Sequence, residues 1–234
     1  MAHFQPEPWE RRLYVPTYRI AEAARFARIS PGTVASWHKP KGLKSETLSK
    51  RKPRSELTYL QLIEVGVVAA MRESGLTLRR IRRARDYIAS EFRSEYPFAE
   101  FRFSTDGKEL FISSEQILSK ADSEKLLSVT EQGQYAWKEI LKQRLEEFEY
   151  DKGRFVLRWK VAGPENPVTI DPRLAFGAPS VDGLATWVVK ERWNSGASIN
   201  DIASDFELEE AKVIAALKFE EIVPNFERKD LWKN

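Results

Sequence analysis

The sequence contains no cysteine and only two histidines among its 234 residues. Without thiols the chain forms no disulfide, no thiolate metal site and no cysteine nucleophile. The two histidines, His3 and His38, are far apart and belong to no cluster with the spacing of metal ligands. We therefore expect neither a metal site nor a cofactor.

Long apolar runs and glycine-rich phosphate loops are also missing. No apolar run approaches the roughly 20 residues that span a bilayer, and the first residues do not resemble a signal peptide. We expect a cytoplasmic protein without membrane contact. An active site would have to use carboxylates alone, with Asp171 or Asp182 as candidates. Both are more simply explained as turn residues, so we expect no catalytic residue and no enzyme.

Charge is distributed unevenly along the chain. Residues 1–95 hold 19 Lys and Arg against 10 Asp and Glu, whereas the remainder holds 19 against 25. A basic N-terminal part followed by an acidic part indicates that the first part meets a polyanion and the second a different partner.

Residues 18–37 predict two short helices around a tight turn. The second helix begins with Ser30 as N-cap and Pro31 at the first helical position. Small or apolar residues occupy the inward positions of both helices and the turn: Ala24, Ile29, Val34 and Trp37. The pattern is typical of a helix-turn-helix. Thr33 and Ser36 then face outward, where we expect them to contact DNA in a major groove.

A basic segment, which we define as residues 39–54, follows the second helix. Its cations are Lys39, Lys41, Lys44, Lys50, Arg51, Lys52 and Arg54. Two prolines and a glycine interrupt it, which favours a loop or a β-wing over a helix. A wing beside a helix-turn-helix grips phosphates. The alternative is a basic loop that binds nothing in particular.

From Leu57 the apolar residues recur at helical spacing until Gly75, which is typical of a C-cap. A second helix follows, with five arginines in seven positions: Arg79, Arg80, Arg82, Arg83 and Arg85. These form either a solvated helix face or a second phosphate-contacting edge. We favour the second interpretation and expect Arg79 and Arg80 to contact DNA.

Residues 18 to about 92 resemble the DNA-binding domain of MerR-type winged helix-turn-helix regulators. The resemblance rests on Tyr-Arg-Ile-Ala-Glu-Ala-Ala at 18–24, Ser-Pro-Gly-Thr at 30–33 and Met-Arg-Glu-Ser-Gly-Leu-Thr-Leu-Arg-Arg-Ile at 71–81. It implies a DNA-binding domain over residues 1–95. Ala35 replaces an arginine that contacts DNA in such units, so we expect a homodimer that binds an inverted repeat. Arg28 replaces the turn glycine common in such units, so we expect the turn to close by another geometry.

Residues 96–162 are interpreted as a structural connection. Alternating apolar residues around a Ser-Thr-Asp-Gly turn predict a β-hairpin between Phe98 and Ile112. A helix is expected from about Gln134 to Phe148, and a strand over residues 155–161. Nothing in this region suggests chemistry.

Residues 163–224 form the next predicted domain. A linker at 163–167 and a short strand precede three helices, which we expect to form a homeodomain-like unit. The last two helices again have a helix-turn-helix pattern, with Ala203 at the position of close approach. Their surface is acidic and would repel phosphates, so we expect this unit not to bind DNA.

The segment from about 167 to 221 is similar to a small helical domain found in antitoxins paired with PIN-type ribonuclease toxins. The similarity rests on Val-Thr-Ile-Asp-Pro at 168–172, the glycines at 177 and 183, and Gly-Ala-Ser-Ile at 196–199 leading to Asp-Ile-Ala at 201–203. A DNA-binding unit joined to this domain resembles a VapB-type antitoxin. The resemblance implies a PIN-type toxin and operator DNA as partners.

The tail, residues 225–234, mixes bulky apolar and basic side chains. It is either a frayed end or a toxin-binding arm. In the second case Trp232 fills a pocket, and Arg228 or Lys229 approaches an acidic nuclease site.

The sequence therefore predicts a mainly α fold with short β-hairpins. The predicted function is an antitoxin of a type II toxin-antitoxin pair that neutralises a PIN-type toxin and represses its own operon. The alternative is a one-component MerR-like transcriptional regulator with a small-molecule sensor region.

Overall fold

The computed structural model describes residues 7–39, 47–52, 54–73, 75–100, 103–105, 110–112, 145–151 and 155–224. These residues belong to two compact units, residues 1–159 and 160–234. Both units combine helices with short antiparallel strands, as the sequence predicted. Among the described residues, no helix has the length and apolar character needed to span a membrane.

The first unit contains six helices and four strands within its described residues. They are α1 Pro8–Arg12, α2 Ile20–Phe26, α3 Pro31–Trp37, α4 Tyr59–Glu73, α5 Leu78–Glu91, α6 Pro97–Glu100, β1 Phe103–Thr105, β2 Leu110–Ile112, β3 Phe148–Asp151 and β4 Phe155–Trp159.

Helices α2 and α3 pack against each other around a tight turn. Ser30 caps α3 as predicted, since its side chain accepts a hydrogen bond from the Thr33 N–H at 3.1 Å. Val34 and Trp37 are buried, as the pattern indicated.

The expectation of a different turn geometry at Arg28 is wrong. Arg28 itself has φ of 58°, the left-handed conformation that a glycine would supply. The next residue, Ile29, donates its N–H to the Ala24 carbonyl at 2.9 Å and closes the end of α2.

Helix α4 is buried around its whole circumference. All of its residues except Arg72 and Glu73 are buried, including the polar Gln61 and Glu64. Helices α2, α5 and α6 and strand β4 pack around it. The Gly75 C-cap is confirmed by a φ of 85°. Helix α4 is thus the core of the first unit.

A glycine allows α4 to approach strands β3 and β4. The Phe148 and Trp159 rings stack with centroids 5.3 Å apart. A Cβ atom added to Gly66 would lie 2.9 Å from the Trp159 ring and 3.0 Å from that of Phe148. Since both rings are buried, neither has free space to move into.

Both strand pairs of this unit are antiparallel hairpins. In the predicted first hairpin, Phe103 pairs with Ile112 and Thr105 with Leu110. In the second, β3 and β4 pair with a register shift at Glu149 and Tyr150. Most of the helix expected at 134–148 lies outside the described residues. Its predicted end is wrong, because Phe148 begins β3 and pairs with Trp159.

The second unit contains a three-stranded antiparallel arrangement and three α-helices within its described residues. The elements are β5 Thr169–Ile170, a 3₁₀ turn Ala175–Gly177, β6 Pro179–Val181, β7 Leu184–Ala185, α7 Thr186–Asn194, α8 Ile199–Asp205 and α9 Glu210–Phe219. Strand β6 pairs with β5 and β7. Ser198 caps α8 by accepting the Asp201 N–H at 3.1 Å.

The turn between α8 and α9 repeats the turn between α2 and α3. Glu207 has φ of 53° where Arg28 has 58°. Leu208 donates its N–H to the Ala203 carbonyl at 2.9 Å, as Ile29 does to Ala24. The chain therefore contains two helix pairs with the same turn.

We predict that Gly66→Ala lowers the free energy of unfolding by about 1–3 kcal/mol, because the added methyl group overpacks the Trp159 and Phe148 rings. Gly32→Ala is the matched control. A Cβ there has its nearest neighbour at 3.9 Å, so this change should be neutral or stabilising by up to about 1 kcal/mol. Urea denaturation followed by tryptophan fluorescence measures both. Equal effects of the two variants would contradict the close-approach role of Gly66.

Candidate nucleic-acid interface

The two predicted contact residues of α3 are half-buried and use their hydroxyl groups within the helix. Thr33 Oγ1 lies 2.8 Å from Ser30 Oγ, and Ser36 Oγ donates to the Thr33 carbonyl at 2.8 Å. Each hydroxyl oxygen retains acceptor capacity. The most exposed residues of α3 are Pro31 and Gly32 at its N-terminus.

The basic segment presents most of its described cations to solvent. Lys39, Lys50, Lys52 and Arg54 are exposed. Arg51 is half-buried and its guanidinium donates to the Ser55 carbonyl. Lys41 and Lys44 lie outside the described residues. Residues 47–52 and 54–56 adopt no strand, and Leu57 forms an isolated antiparallel bridge with Tyr18.

The second half of the basic segment is fixed to the core through residues 47–50, which we call the anchor. Thr47, Leu48 and Ser49 are fully buried. The N–H groups of Thr47 and Leu48 donate to the Trp37 carbonyl at 3.2 and 3.4 Å, at the end of α3.

Two side chains of α4 hold the remainder of the anchor. Ser49 donates its N–H to Glu64 Oε2 at 2.9 Å, and Gln61 Nε2 donates to the Lys50 carbonyl at 2.8 Å. His38, the residue after α3, places Nδ1 3.1 Å from the Ser49 carbonyl. Because a carbonyl only accepts, His38 Nδ1 carries the proton of this bond.

The arginines of α5 divide into two groups. Arg79 and Arg83 are exposed and Arg80 is half-exposed, so they can meet phosphates. Arg82 instead donates Nε–H to Thr47 Oγ1 at 3.0 Å. The Arg85 side chain is only 14% exposed, and its guanidinium lies 3.7 Å from the Asp86 carboxylate. Sequence reasoning missed this division, because it depends on side chains distant in sequence.

Burial shifts the pKa values of two anchor partners in opposite directions. Desolvation raises the pKa of Glu64 to about 7, against the hydrogen bond from Ser49 and the charge of Arg85, which lower it. Desolvation also lowers the pKa of His38 to about 4, and the charge of Arg51 contributes in the same direction. The neutral imidazole is therefore the stable form near neutrality.

The corresponding surface of the second unit is acidic. The exposed carboxylates around α8 and α9 are Asp201, Asp205, Glu207, Glu209, Glu210 and Glu221. Lys212 occupies the position in α9 that Thr33 has in α3. Its ammonium forms ion pairs with Asp182 at 2.8 Å and Glu209 at 3.8 Å. The bond to Asp182 raises the pKa of Lys212. This surface would repel phosphates.

Charged residues occupy several left-handed backbone positions in both units. In the first unit these are Arg28, Arg54 and Arg93, and in the second Asp182, Glu207 and Glu221. All six are exposed. Their sign follows the net charge of the part of the chain to which they belong.

Asp171 and Asp182, the carboxylates considered for catalysis, act as turn residues. Asp171 is fully buried and accepts hydrogen bonds from the Arg173 N–H at 2.9 Å and from the Arg173 guanidinium at 2.6 Å. Asp182 lies at the β6–β7 turn with φ of 47°. Across the described ranges, no group of three or more histidine and carboxylate side chains could hold a metal ion.

Two exposed aromatic residues of the second unit were not anticipated. The Phe176 side chain is 81% exposed, within a 3₁₀ turn whose three residues all have positive φ. Trp187, at the second position of α7, is 57% exposed. Large exposed aromatics are typical of protein contacts. No periodicity marks them, because both belong to turns or helix ends. The predicted contacts Arg228, Lys229 and Trp232 lie outside the described residues.

Residues 168–219 match a protein family described as "Protein of unknown function (DUF433)". This match falls on the segment whose motifs resemble the helical domain of certain antitoxins. It includes strands β5–β7 and helices α7–α9.

Two comparisons extend over most of the chain. It is 26% identical over 218 residues to a Mycobacterium tuberculosis protein whose name describes it as a candidate antitoxin, VapB45, covering 84% of this chain and 90% of the relative. It also has the fold of Rv2018 from Mycobacterium tuberculosis, a crystal structure matched with a TM-score of 0.64 and 23% identity over 88% of this chain and 99% of that one. The chain is therefore antitoxin-like in sequence.

The opposite pKa shifts of Glu64 and His38 predict offsetting effects on stability. From pH 4.5 to 7 the unfolded chain releases the Glu64 proton that the folded chain keeps, so this contribution to the free energy of unfolding falls as pH rises. From pH 4 to 6.5 the unfolded chain binds a proton at His38 that the folded chain does not, so that contribution rises with pH.

Between pH 4.5 and 6.5, the stability of Glu64→Gln relative to the wild type should therefore rise with pH. The relative stability of His38→Asn should fall, each at about 1.4 kcal/mol per pH unit. Urea denaturation at several pH values measures both slopes. Curves parallel to the wild type would show that these groups titrate as they do in the unfolded chain.

Proposed function

We propose that this protein is the antitoxin of a type II toxin-antitoxin pair. Its first unit would bind operator DNA, and its second unit would bind a PIN-type ribonuclease toxin. Support for the class comes from the similarity to a relative named as a candidate antitoxin over 84% of the chain. Support for the division of labour comes from the opposite charges of the two parts.

The observation that carries the DNA-binding half is the anchor. It joins the end of α3, the first of the cations at 50–54 and the arginine helix α5 within one unit. In a MerR-like winged helix-turn-helix, α3 would enter the major groove while the cations on either side contact phosphates. A homodimer would place two such units on an inverted repeat.

The toxin-binding half is supported by the surface of the second unit. Its acidic face excludes phosphates, and Phe176 and Trp187 offer aromatic contact area. We retain Arg228, Lys229 and Trp232 of the tail as proposed contacts that would enter or cover the carboxylate site of the nuclease. Inhibition would be steric and electrostatic, with no catalysis by this chain.

Joining both activities in one chain would make operator occupancy depend on the ratio of toxin to antitoxin. A toxin that bridges two antitoxin chains raises the effective concentration of the second DNA-binding unit at the operator. Repression would then be strongest when enough antitoxin is present to occupy the toxin.

Alanine at Lys50, Arg51, Lys52 and Arg54 should weaken DNA binding and flatten its salt dependence. Each lost phosphate contact reduces the slope of log affinity against log salt concentration by about 0.9. The measurement is gel retardation of the DNA upstream of the chain's own reading frame at several salt concentrations.

The matched control removes four cations from the second unit: Lys190, Arg192, Lys212 and Lys218 to alanine. It should leave the slope unchanged, since this unit is not proposed to contact phosphates. An unchanged slope in the basic-segment variant would show that this segment does not bind DNA.

Expression of the neighbouring reading frame should arrest growth, and this chain should relieve the arrest and copurify with its product. A chain ending near Gly163 should bind DNA without neutralising, because it lacks the proposed toxin-binding unit. Colony counts and copurification measure neutralisation.

The four-alanine variant of the basic segment is the reciprocal control, which should neutralise fully while losing DNA binding. Protection of cells by the truncated chain would refute the division of labour. Absence of both toxicity and a complex would favour a one-component MerR-like regulator instead.

A further inference from the structure

The anchor uses a buried carboxyl group at a position where an apolar side chain would cost less free energy to bury. Glu64 lies in the middle of α4 and is fully buried. Burying a carboxyl group costs free energy that only hydrogen bonds or nearby charges offset. Its neighbours along α4 are aliphatic over most of the helix. The polar side chain therefore has a task other than filling the core.

That task is visible in what Glu64 contacts. Its Oε2 accepts the Ser49 N–H at 2.9 Å, at the centre of the anchor. The same Ser49 accepts a hydrogen bond from His38 on its carbonyl oxygen, which connects the anchor to the end of α3. The charge of Arg85 also acts on Glu64, which connects it to α5. Glu64 thus bonds directly to the anchor, and through Ser49 it is linked to the end of α3.

The anchor ends at the first of the cations at 50–54 and directly precedes the others. Lys50, Lys52 and Arg54 are exposed, and Arg51 is half-buried. Because Arg51 and Lys52 lie only two and three residues after Ser49, a displacement of Ser49 also moves their backbone. The position of Ser49 therefore sets where these charges lie relative to α3.

We propose that Glu64 is a positioning residue for DNA binding: through Ser49 it holds the cations of residues 50–54 in register with helix α3. This proposal deepens the proposed DNA-binding function and rests on it. Glu64 does not touch the DNA. It acts by making the phosphate contacts of the basic segment simultaneous with the groove contacts of α3.

The first test measures the anchor without DNA. Glu64→Ala removes the acceptor of the Ser49 N–H, so limited trypsin digestion of the native protein at Lys50, Arg51 and Arg54 should accelerate roughly tenfold, as the loss of a buried hydrogen bond allows. Met71→Ala is the control: it removes another fully buried side chain of α4 and should leave cleavage at these sites unchanged. An equal cleavage rate in Glu64→Ala and the wild type would overturn the proposal.

The second test measures DNA binding to the same upstream fragment. Glu64→Ala should lower the affinity roughly tenfold and flatten the salt slope, because phosphate contacts are lost. In the background of the four basic-segment alanines it should have no further effect. Additive losses in this double-mutant cycle, or a wild-type salt slope in Glu64→Ala, would overturn the proposal.

Glu64→Gln separates positioning from folding. Its amide oxygen can still accept the Ser49 N–H, so affinity and cleavage should return to within about twofold of the wild type even if the alanine variant folds poorly. A glutamine variant as defective as alanine would overturn the proposal. The two proposals can fail separately. If the wild type does not retard the DNA but Glu64→Ala accelerates trypsin cleavage as expected, the proposed DNA binding is refuted and the anchoring by Glu64 is not.

Discussion

The structure of the first unit depends on the burial of helix α4 on all sides. An isolated helix of 15 residues is marginal in water, so its stability comes from the elements that surround it. The helix pair α2–α3, helices α5 and α6, the β3–β4 hairpin and the anchor each contact it. The candidate interface is thus assembled from parts that share a core rather than contiguous sequence.

Polar groups inside this core fix the relative positions of the packed elements, which apolar contacts alone leave adjustable. Apolar contacts tolerate small shifts, whereas a buried hydrogen bond is lost when its partners separate. Gln61 and Glu64 of α4 and Arg82 of α5 all bond to the anchor, from two helices. The second unit shares with the first the turn geometry of a helix pair, α8–α9. The described surface of that pair is acidic rather than basic. Fold and surface chemistry are therefore separable in this chain.

Local features of the sequence were sufficient for the helices and their caps. Ser30 and Ser198 were recognisable N-caps, and the burial of Val34 and Trp37 followed from helical spacing. The hydrogen bond from Arg82 to the anchor was not predictable, since its partner Thr47 lies 35 residues away in the sequence. Phe148 was misassigned because its apolar spacing suits a helix, while its pairing with Trp159 makes it a strand residue. Exposure of Phe176 likewise follows from backbone conformation, which side-chain pattern does not encode.

The charged residues at left-handed turn positions have a consequence for the evolution of stability. A non-glycine residue costs roughly 1–2 kcal/mol there, which glycine would lower at the expense of its own larger loss of backbone entropy. Glycine would also erase an arginine from the basic part or a carboxylate from the acidic part. Glycine variants selected for heat resistance at Arg28 or Glu207 would therefore reduce the net charge of the basic or the acidic part. In this chain, the strained turn positions thus carry charged side chains that help to make the first part basic and the second part acidic.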